Sequence, residues 1–273
     1  MYNTIAVRRT DKPYLRLPAV FFRGMLRYYS IFVVMIAWEV VARWVIHNSN
    51  ILPPLTAVAA KWLHLLENGD LFYHSGISLQ RAGEGFGAAV AVGIMVGFAM
   101  GRFRLFEFLF EPMFSLSYPI PKISVYPIFI FVFGLGNTSK VALVFLECMY
   151  PIVVAAYYGS KSVNRLYIWA ARNMGASQSD IFRKVVVPAA APYVFSGLRV
   201  AMPISLVLVI ITEMIGSNDG LGFLIVYASA SFQSTTAFVG IVTIAILGFV
   251  LDRILVFIRN KVVFWERDIL TIS

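Results

Sequence analysis

Six stretches of this sequence, about residues 28–47, 80–101, 108–133, 138–159, 192–215 and 237–259, are each long and apolar enough to form a helix that crosses a bilayer. A span needs roughly 20 mostly apolar residues to cross ~30 Å of hydrocarbon at about 1.5 Å per residue. In lipid every backbone polar group has to be satisfied internally, which leaves helices or a closed barrel. The sequence therefore predicts an all-α, polytopic transmembrane bundle of six spans, one integral domain over 28–259 between an N-terminal segment 1–27 and a C-terminal tail 260–273. A chain that is 59% hydrophobic and 14% charged, with a mean hydropathy of +0.78, is too apolar for a soluble domain with a solvated surface. Soluble catalytic domains are excluded.

The formal net charge of +9 does not point to nucleic acid, because the Lys and Arg residues fall mostly in the gaps between apolar runs rather than on one face. Topology accounts for it. With the N-terminus inside, the cytoplasmic segments and span ends carry Arg8, Arg9, Lys12, Arg16, Arg23, Arg27, Arg102, Arg104, Lys161, Arg165, Arg172, Arg183, Lys184, Arg253, Arg259, Lys261 and Arg267, whereas the outer side carries Arg43, Lys61, Arg81 and Lys140. That asymmetry predicts both termini in the cytoplasm. The first apolar run is too long for a signal-peptide core and reads as an uncleaved span. Cys148 stands alone in an apolar run, and His47, His64 and His74 have no ligand spacing, so neither a disulfide nor a metal is expected.

Three local patterns shape the bundle. After Pro53 and Pro54, the residues Leu55, Val58, Trp62 and Leu65 share one face of a short amphipathic helix with Glu67 opposite, expected along the outer membrane surface. In the second span Gly85, Ala89, Gly93, Gly97 and Gly101 recur every four residues, a strip of small side chains that lets another backbone approach closely. The general abundance of Gly in membrane helices is the alternative. The third span holds Pro112, Pro119, Pro121 and Pro127, each lacking a ladder donor, so it is expected to be kinked or partly unwound.

Between the fourth and fifth spans lies "WAARNMGASQSDIFRKVVVP", Trp169 to Pro188, which is charged and punctuated by Gly175. Residues 165–174 suit a helix and Gly175 supplies a permissive break. Ser177 is a good N-cap with Asp180 three residues on, so a second helix is expected from there toward Pro188, its Ile181, Phe182, Val185 and Val186 on one side and Arg183 and Lys184 on the other. This helix-turn-helix elbow suits a protein partner or the membrane surface, with a solvated linker that happens to be helical as the third possibility.

The elbow resembles the "EAA" loop of ATP-binding-cassette importer permeases, in which Glu-Ala-Ala is followed by Gly and then by Ile-x-Leu-Pro. Here the register holds Trp169-Ala170-Ala171, then Gly175, then Val185-x-Val187-Pro188; Trp169 stands where the family has Glu. The surrounding "GASQSDIFRKVVVPAAAPYVFSGLRVA", "EMIGSNDGLGFLI" and "PIPKISVYPIFIFVFGLGNTSK" are similar to the branch that takes up sulfonate, taurine, nitrate and thiamine precursors. The resemblance implies a permease of a bacterial inner membrane, working as two copies with two ATPase subunits that bind ATP and Mg, and fed by a periplasmic solute-binding protein. It implies a coupling helix carried by Trp169, Ala170, Ala171, Gly175, Ala176, Ser177, Val185, Val187 and Pro188. It implies no cofactor and no enzymatic chemistry on this chain. Consistently, "GLGNTSKV" at Gly134 to Val141 has the wrong residues for a phosphate-binding loop, and "GEGFG" at Gly83 to Gly87 lacks a preceding strand. A secondary transporter would be expected to show an internal repeat, which is not visible here; a scaffold docking a non-ATPase partner is the other rival.

Ionisable residues at membrane depth cost at least ~2.5 kcal/mol near the bilayer centre, so each invites a role. Glu39 and Arg43, Arg81 and Glu84, Asp252 beside Arg253, and Glu111 and Arg199 near cytoplasmic ends are expected to snorkel or pair. Lys122, Glu147 and Glu213 are the candidates for the solute pathway. Lys122 is either neutralised by Glu147 or faces a central cavity and attracts an anion, and Glu213 is expected at an outer gate.

Overall fold

The computed structural model describes residues 29–117 and 119–265, and the charges expected in 1–28 and at Arg267 lie outside them. Among the described residues all the regular structure is helical, with no strand. The helices are α1 (Tyr29–Ile46), α2 (Leu55–Glu67), α3 (Asp70–Arg102), α4 (Arg104–Ser117), α5 (Tyr126–Phe133), α6 (Asn137–Lys161), α7 (Arg165–Asn173), α8 (Gln178–Gly216), α9 (Leu221–Ala230) and α10 (Ser234–Val262). Helices α1, α3, α6, α8 and α10 are long and apolar enough to cross a membrane, and α4 with the segment Lys122–Phe133 makes a sixth candidate span bent by 92°. The bend falls where the prolines predict it. Pro119 and Pro121 occupy the break, Pro127 sits in the first turn of α5, and a short 3-10 turn over Lys122–Val125 joins the pieces.

The core is α3 and α8 packed on α6, built from Ala89, Leu143, Val144, Cys148, Ile152, Ala156, Ala190 and Ala201, all at or near complete burial. The small-residue strip of α3 is what brings α6 so close. A Cβ placed on Gly85 would lie 2.6 Å from Val144 Cβ, one on Gly93 3.0 Å from Ile152, and one on Gly97 2.6 Å from both Ala156 Cβ and the Val153 carbonyl. Ordinary contacts begin near 3.4 Å, so at Gly85 and Gly97 only hydrogen fits, and at Gly93 a methyl would have to displace the Ile152 side chain.

A second cluster gathers α2, α9 and α10 through Val58, Leu65, Leu221, Leu224 and Val239. The amphipathic face read from the sequence is the one that packs: Val58 and Leu65 are buried, and Trp62 Nε1 donates to Thr243 Oγ1 on α10 at 3.1 Å. Helix α1 stands at the rim. It is fastened where Trp38 Nε1 donates to the Pro53 carbonyl at 3.0 Å and where Arg43 donates to Glu39 at 2.6 Å and to Thr56 at 2.8 Å.

The other pairs expected from sequence take different partners. Glu84 accepts from Gln80 Nε2, not from Arg81; Asp252 pairs with Arg199 across α8 and α10 at 2.8 Å; and Arg253 lies over the Phe249 ring. Arg81 and Asp252 instead take partners on neighbouring helices, Glu213 and Arg199, which ties two elements together.

Candidate functional site: an elbow, a cavity and a buried ion cluster

The elbow forms as two capped arms. Asn164 caps α7 by accepting from the Leu166 amide at 2.9 Å. At its other end Gly175 adopts φ +81°, and the amides of Gly175 and Ala176 donate to the carbonyls of Arg172 (2.9 Å) and Ala171 (3.0 Å), the paired bonds of a Schellman stop. Ser177 then caps α8, accepting from the Asp180 amide at 3.1 Å, and Lys184 pairs with Asp180 at 2.7 Å. The Asp180 carboxylate accepts from the Ser177 hydroxyl rather than from its backbone amide, because Asp is one methylene shorter than the Glu of a usual capping box.

The second arm runs through Pro188 as a single helix into the fifth span, Gln178 to Gly216. A π turn over Phe182–Val186 absorbs the missing amide and the steric clash of Pro188 with the turn before it.

The elbow presents two kinds of surface. Inward, Ile181 is buried and Phe182 meets Phe98 edge-on at 5.6 Å, while Arg102 Nη2 donates to Gln178 Oε1 at 3.0 Å. Val185, Val187 and Pro188 are half-buried on this side. Outward, Leu166, Tyr167, Trp169 and Met174 stand 56–81% exposed, with Ala170, Gly175 and Ser177 beside them and Ala171 and Ala176 half-covered. Four large apolar side chains thus stand exposed on the first arm and its capped turn, the kind of surface that marks an interaction site.

Lys122 lines an apolar cavity of about 550 Å³ together with Val92, Phe110, Phe114, Ile120, Phe145 and Tyr150, among others, and Glu147 approaches it there. Their closest atoms, Lys122 Nζ and Glu147 Oε2, are 3.9 Å apart, too far for a hydrogen bond, and Nζ lies 5.3 Å from the Tyr150 ring centroid. Glu147 Oε2 is buried without a hydrogen-bond partner among the described residues.

Glu213 does not join them. It is 1% exposed and accepts from Arg81 Nη1 at 2.8 Å, from Ser78 Oγ at 2.8 Å and from the Gly222 amide at 2.9 Å, leaving no open face for a solute. Arg81 also pairs with Asp219 and donates from Nε to Asn137 Oδ1 at 2.8 Å. Burial raises the Asp219 carboxyl, but the Arg81 guanidinium and the Ser217 hydroxyl outweigh it and hold that group below the usual carboxylate range. Lys140, expected on an outer turn, is also buried, its Nζ donating to the carbonyls of Leu135 (2.7 Å) and Gly136 (3.1 Å) beyond the end of α5. The signal for Arg81 was in the sequence. It lies four residues before Gly85, on the strip that faces α6, so it was never on the solvent side of its helix.

The fold is a bundle of spanning helices with one bent, proline-broken member and an exposed elbow whose second arm is continuous with a span. Residues 89–263 match the family of binding-protein-dependent transport system inner membrane components, and the chain belongs to that family. It is 35% identical over 238 residues to a putative ABC transporter permease protein of Methanocaldococcus jannaschii, covering 85% of this chain and 89% of that one. It is 30% identical over 242 residues to the taurine transport system permease protein of Escherichia coli, covering 87% and 88% of the two chains. The fold is similar to that of a methionine ABC transporter solved in inward-facing form, with a TM-score of 0.57 at 17% identity over 73% of this chain and 97% of that one. The protein is a multi-pass membrane permease subunit of an ABC importer.

Proposed function

We propose that the elbow is the coupling helix on which a separate ATPase closes, and that the chain works as two copies with two such ATPases, which hold the ATP and Mg, and a solute receptor on the far side. The observation that carries the reading is the exposed apolar set Leu166, Tyr167, Trp169 and Met174 on the first arm of an elbow whose second arm is the start of a spanning helix. A motor that grips this arm acts on α8 through the Gly175 turn. Trp169, in place of the family's Glu, makes the grip apolar rather than ionic. With the elbow on the cytoplasmic side, both termini lie there too, in keeping with the distribution of Lys and Arg. ATP binding would draw two elbows together and turn the cavity outward, and hydrolysis would reset it; the quantity transmitted is the difference in ATPase affinity for the two permease conformations.

The solute in this reading is small and anionic, of the sulfonate, taurine or nitrate kind. The taurine transport permease among the relatives supports it, as does the ammonium of Lys122 at the cavity wall, only loosely paired to Glu147. The coupling role is tested in the permease reconstituted with its ATPase. Gly175→Pro cannot take φ +81°, and is expected to abolish permease-stimulated ATP hydrolysis while leaving membrane insertion intact. Trp169→Ala combined with Met174→Ala is expected to weaken co-purification of the ATPase. Normal stimulation in Gly175→Pro would refute the coupling role.

A further inference from the structure

We infer that the cluster of buried Arg81, Glu213 and Ser78 with half-buried Asp219 is the far end of the lever: a latch that makes the turn 217–222 and α9 move with α8 and α3 as one body whenever the elbow moves. The inference rests on the coupling role proposed for the elbow, and it assigns to these residues a positioning role in transport.

Helix α8 is unbroken from Gln178 to Gly216. From Ile181 in the elbow to Glu213 in the cluster is 32 residues (213 − 181), about 48 Å of helix axis at 1.5 Å per residue. A displacement at the elbow therefore arrives at the other end of the bundle. There the helix stops, Ser217 is extended, and the chain reverses through Gly220 at φ +96° into α9. A glycine-containing turn of four residues would ordinarily act as a hinge between two helices.

Here the hinge is fastened on both sides. The first amides of a helix have no partner within it, and α9 has no side-chain cap of its own because Gly220 fills the cap position. Three consecutive amides are instead taken from outside: Gly220 donates to His74 Nδ1 at 3.1 Å, Leu221 to Ser78 Oγ at 2.9 Å, and Gly222 to Glu213 Oε2 at 2.9 Å. The acceptors belong to α3 and α8. Arg81 binds the rest of the turn, donating from Nη1 to Ser217 Oγ (3.3 Å) and the Asp219 carbonyl (3.2 Å) and pairing through Nη2 with the Asp219 carboxylate, while its Nε reaches α6 at Asn137.

The fit leaves no slack. A Cβ on Gly220 would stand 2.3 Å from the Glu213 carboxyl, and one on Gly222 2.3 Å from the Ile210 carbonyl, so the turn lies directly on the carboxylate and on α8. Opening it would take Asp219, Ser217 and the Gly222 amide away from the Arg81–Glu213 pair, 4% and 1% exposed, and leave polar atoms of that pair without partners in an apolar interior. The cluster accordingly stays closed through the cycle, and α9 with its exposed Tyr227 carries the elbow's motion to the surface opposite the ATPase.

Two measurements on the full transporter, permease with ATPase and receptor in lipid nanodiscs, test this. In hydrogen–deuterium exchange, the amides of 220–222 are expected to exchange slowly both without nucleotide and in an ATP-trapped state, while the amides of 165–177 change between the two. Fast exchange at 220–222 in either state overturns the latch; an unchanged elbow overturns the coupling reading instead. The second measurement uses Arg81→Met with Glu213→Gln, which removes both charges together and keeps an oxygen for the Gly222 amide. Stimulated ATP hydrolysis is expected at the wild-type level, with solute uptake reduced about ten-fold or more, within the range of allosteric coupling. Wild-type uptake overturns the latch, and so does loss of stimulated hydrolysis, since the cluster would then act on the elbow or on folding. If the double variant does not insert, the exchange result on the unaltered chain decides.

Discussion

Alanine at Gly97 and at Gly87 should move stability in opposite directions, although the two positions lie on the same helix. Any glycine in a helix interior costs roughly 0.5–1 kcal/mol relative to alanine, so each substitution starts with a gain of that size. At Gly87 nothing lies within 4 Å of the new methyl and the gain is kept. At Gly97 the methyl would be 2.6 Å from Ala156 Cβ, 2.6 Å from the Val153 carbonyl and 3.1 Å from the Tyr157 amide. Two of those three neighbours are backbone, so no side-chain rotation relieves the contact and α3 has to part from α6. Overpacking of this kind costs about 1–3 kcal/mol. Since the propensity gain is common to both, the difference between the variants isolates that cost. At roughly 2–4 °C per kcal/mol, it separates their melting temperatures by about 2–12 °C. Cys148 provides the assay. It is the lone cysteine, fully buried, with Sγ 3.4 Å from the Ala201 carbonyl between α6 and α8. A thiol-reactive fluorogenic dye therefore reads the opening of the core during a thermal ramp in detergent. A Gly97→Ala protein that melts at or above the Gly87→Ala protein would show that α3 and α6 are not packed backbone to backbone.

The other two predictions concern charge. Lys122→Met is expected to keep the fold, since the side chain already lies in an apolar wall, and to lower uptake of an anionic solute in proteoliposomes; unchanged solute affinity and rate would remove Lys122 from the pathway. Asp219, whose carboxyl is held below its usual range by Arg81 and Ser217, stabilises the turn fully above its unfolded value of roughly 4, and that contribution is lost as the pH falls through the lower folded value. Exchange protection of residues 217–222 should therefore fall on acidification, and Asp219→Asn should remove this part of the pH dependence; an identical acid profile in the variant would refute it.

The placement of Trp169 and Pro188 separates two sources of structure. That an elbow forms is written locally: Asn164, Gly175 and Ser177 are the residues that stop and start helices, and each does so here through bonds to amides or carbonyls within a few positions. That its second arm becomes the spanning helix is not local. Pro188 reads as a stop in any short window, and only packing of Ile181 and Phe182 against the body makes a widened turn cheaper than a break.

What the sequence determined by itself is whatever depends on one segment and its solvent. The lengths of the apolar runs follow from bilayer thickness, the broken third span from its prolines, and the packed face of α3 from residues recurring every four positions. What only the tertiary structure decided is the choice of partners. Arg81 finds Glu213 and Asp219 more than 130 residues away, and Arg199 finds Asp252. In an interior of low dielectric a charge takes the partner that allows complete hydrogen bonding, and that depends on which helices are neighbours, a relation no single segment contains.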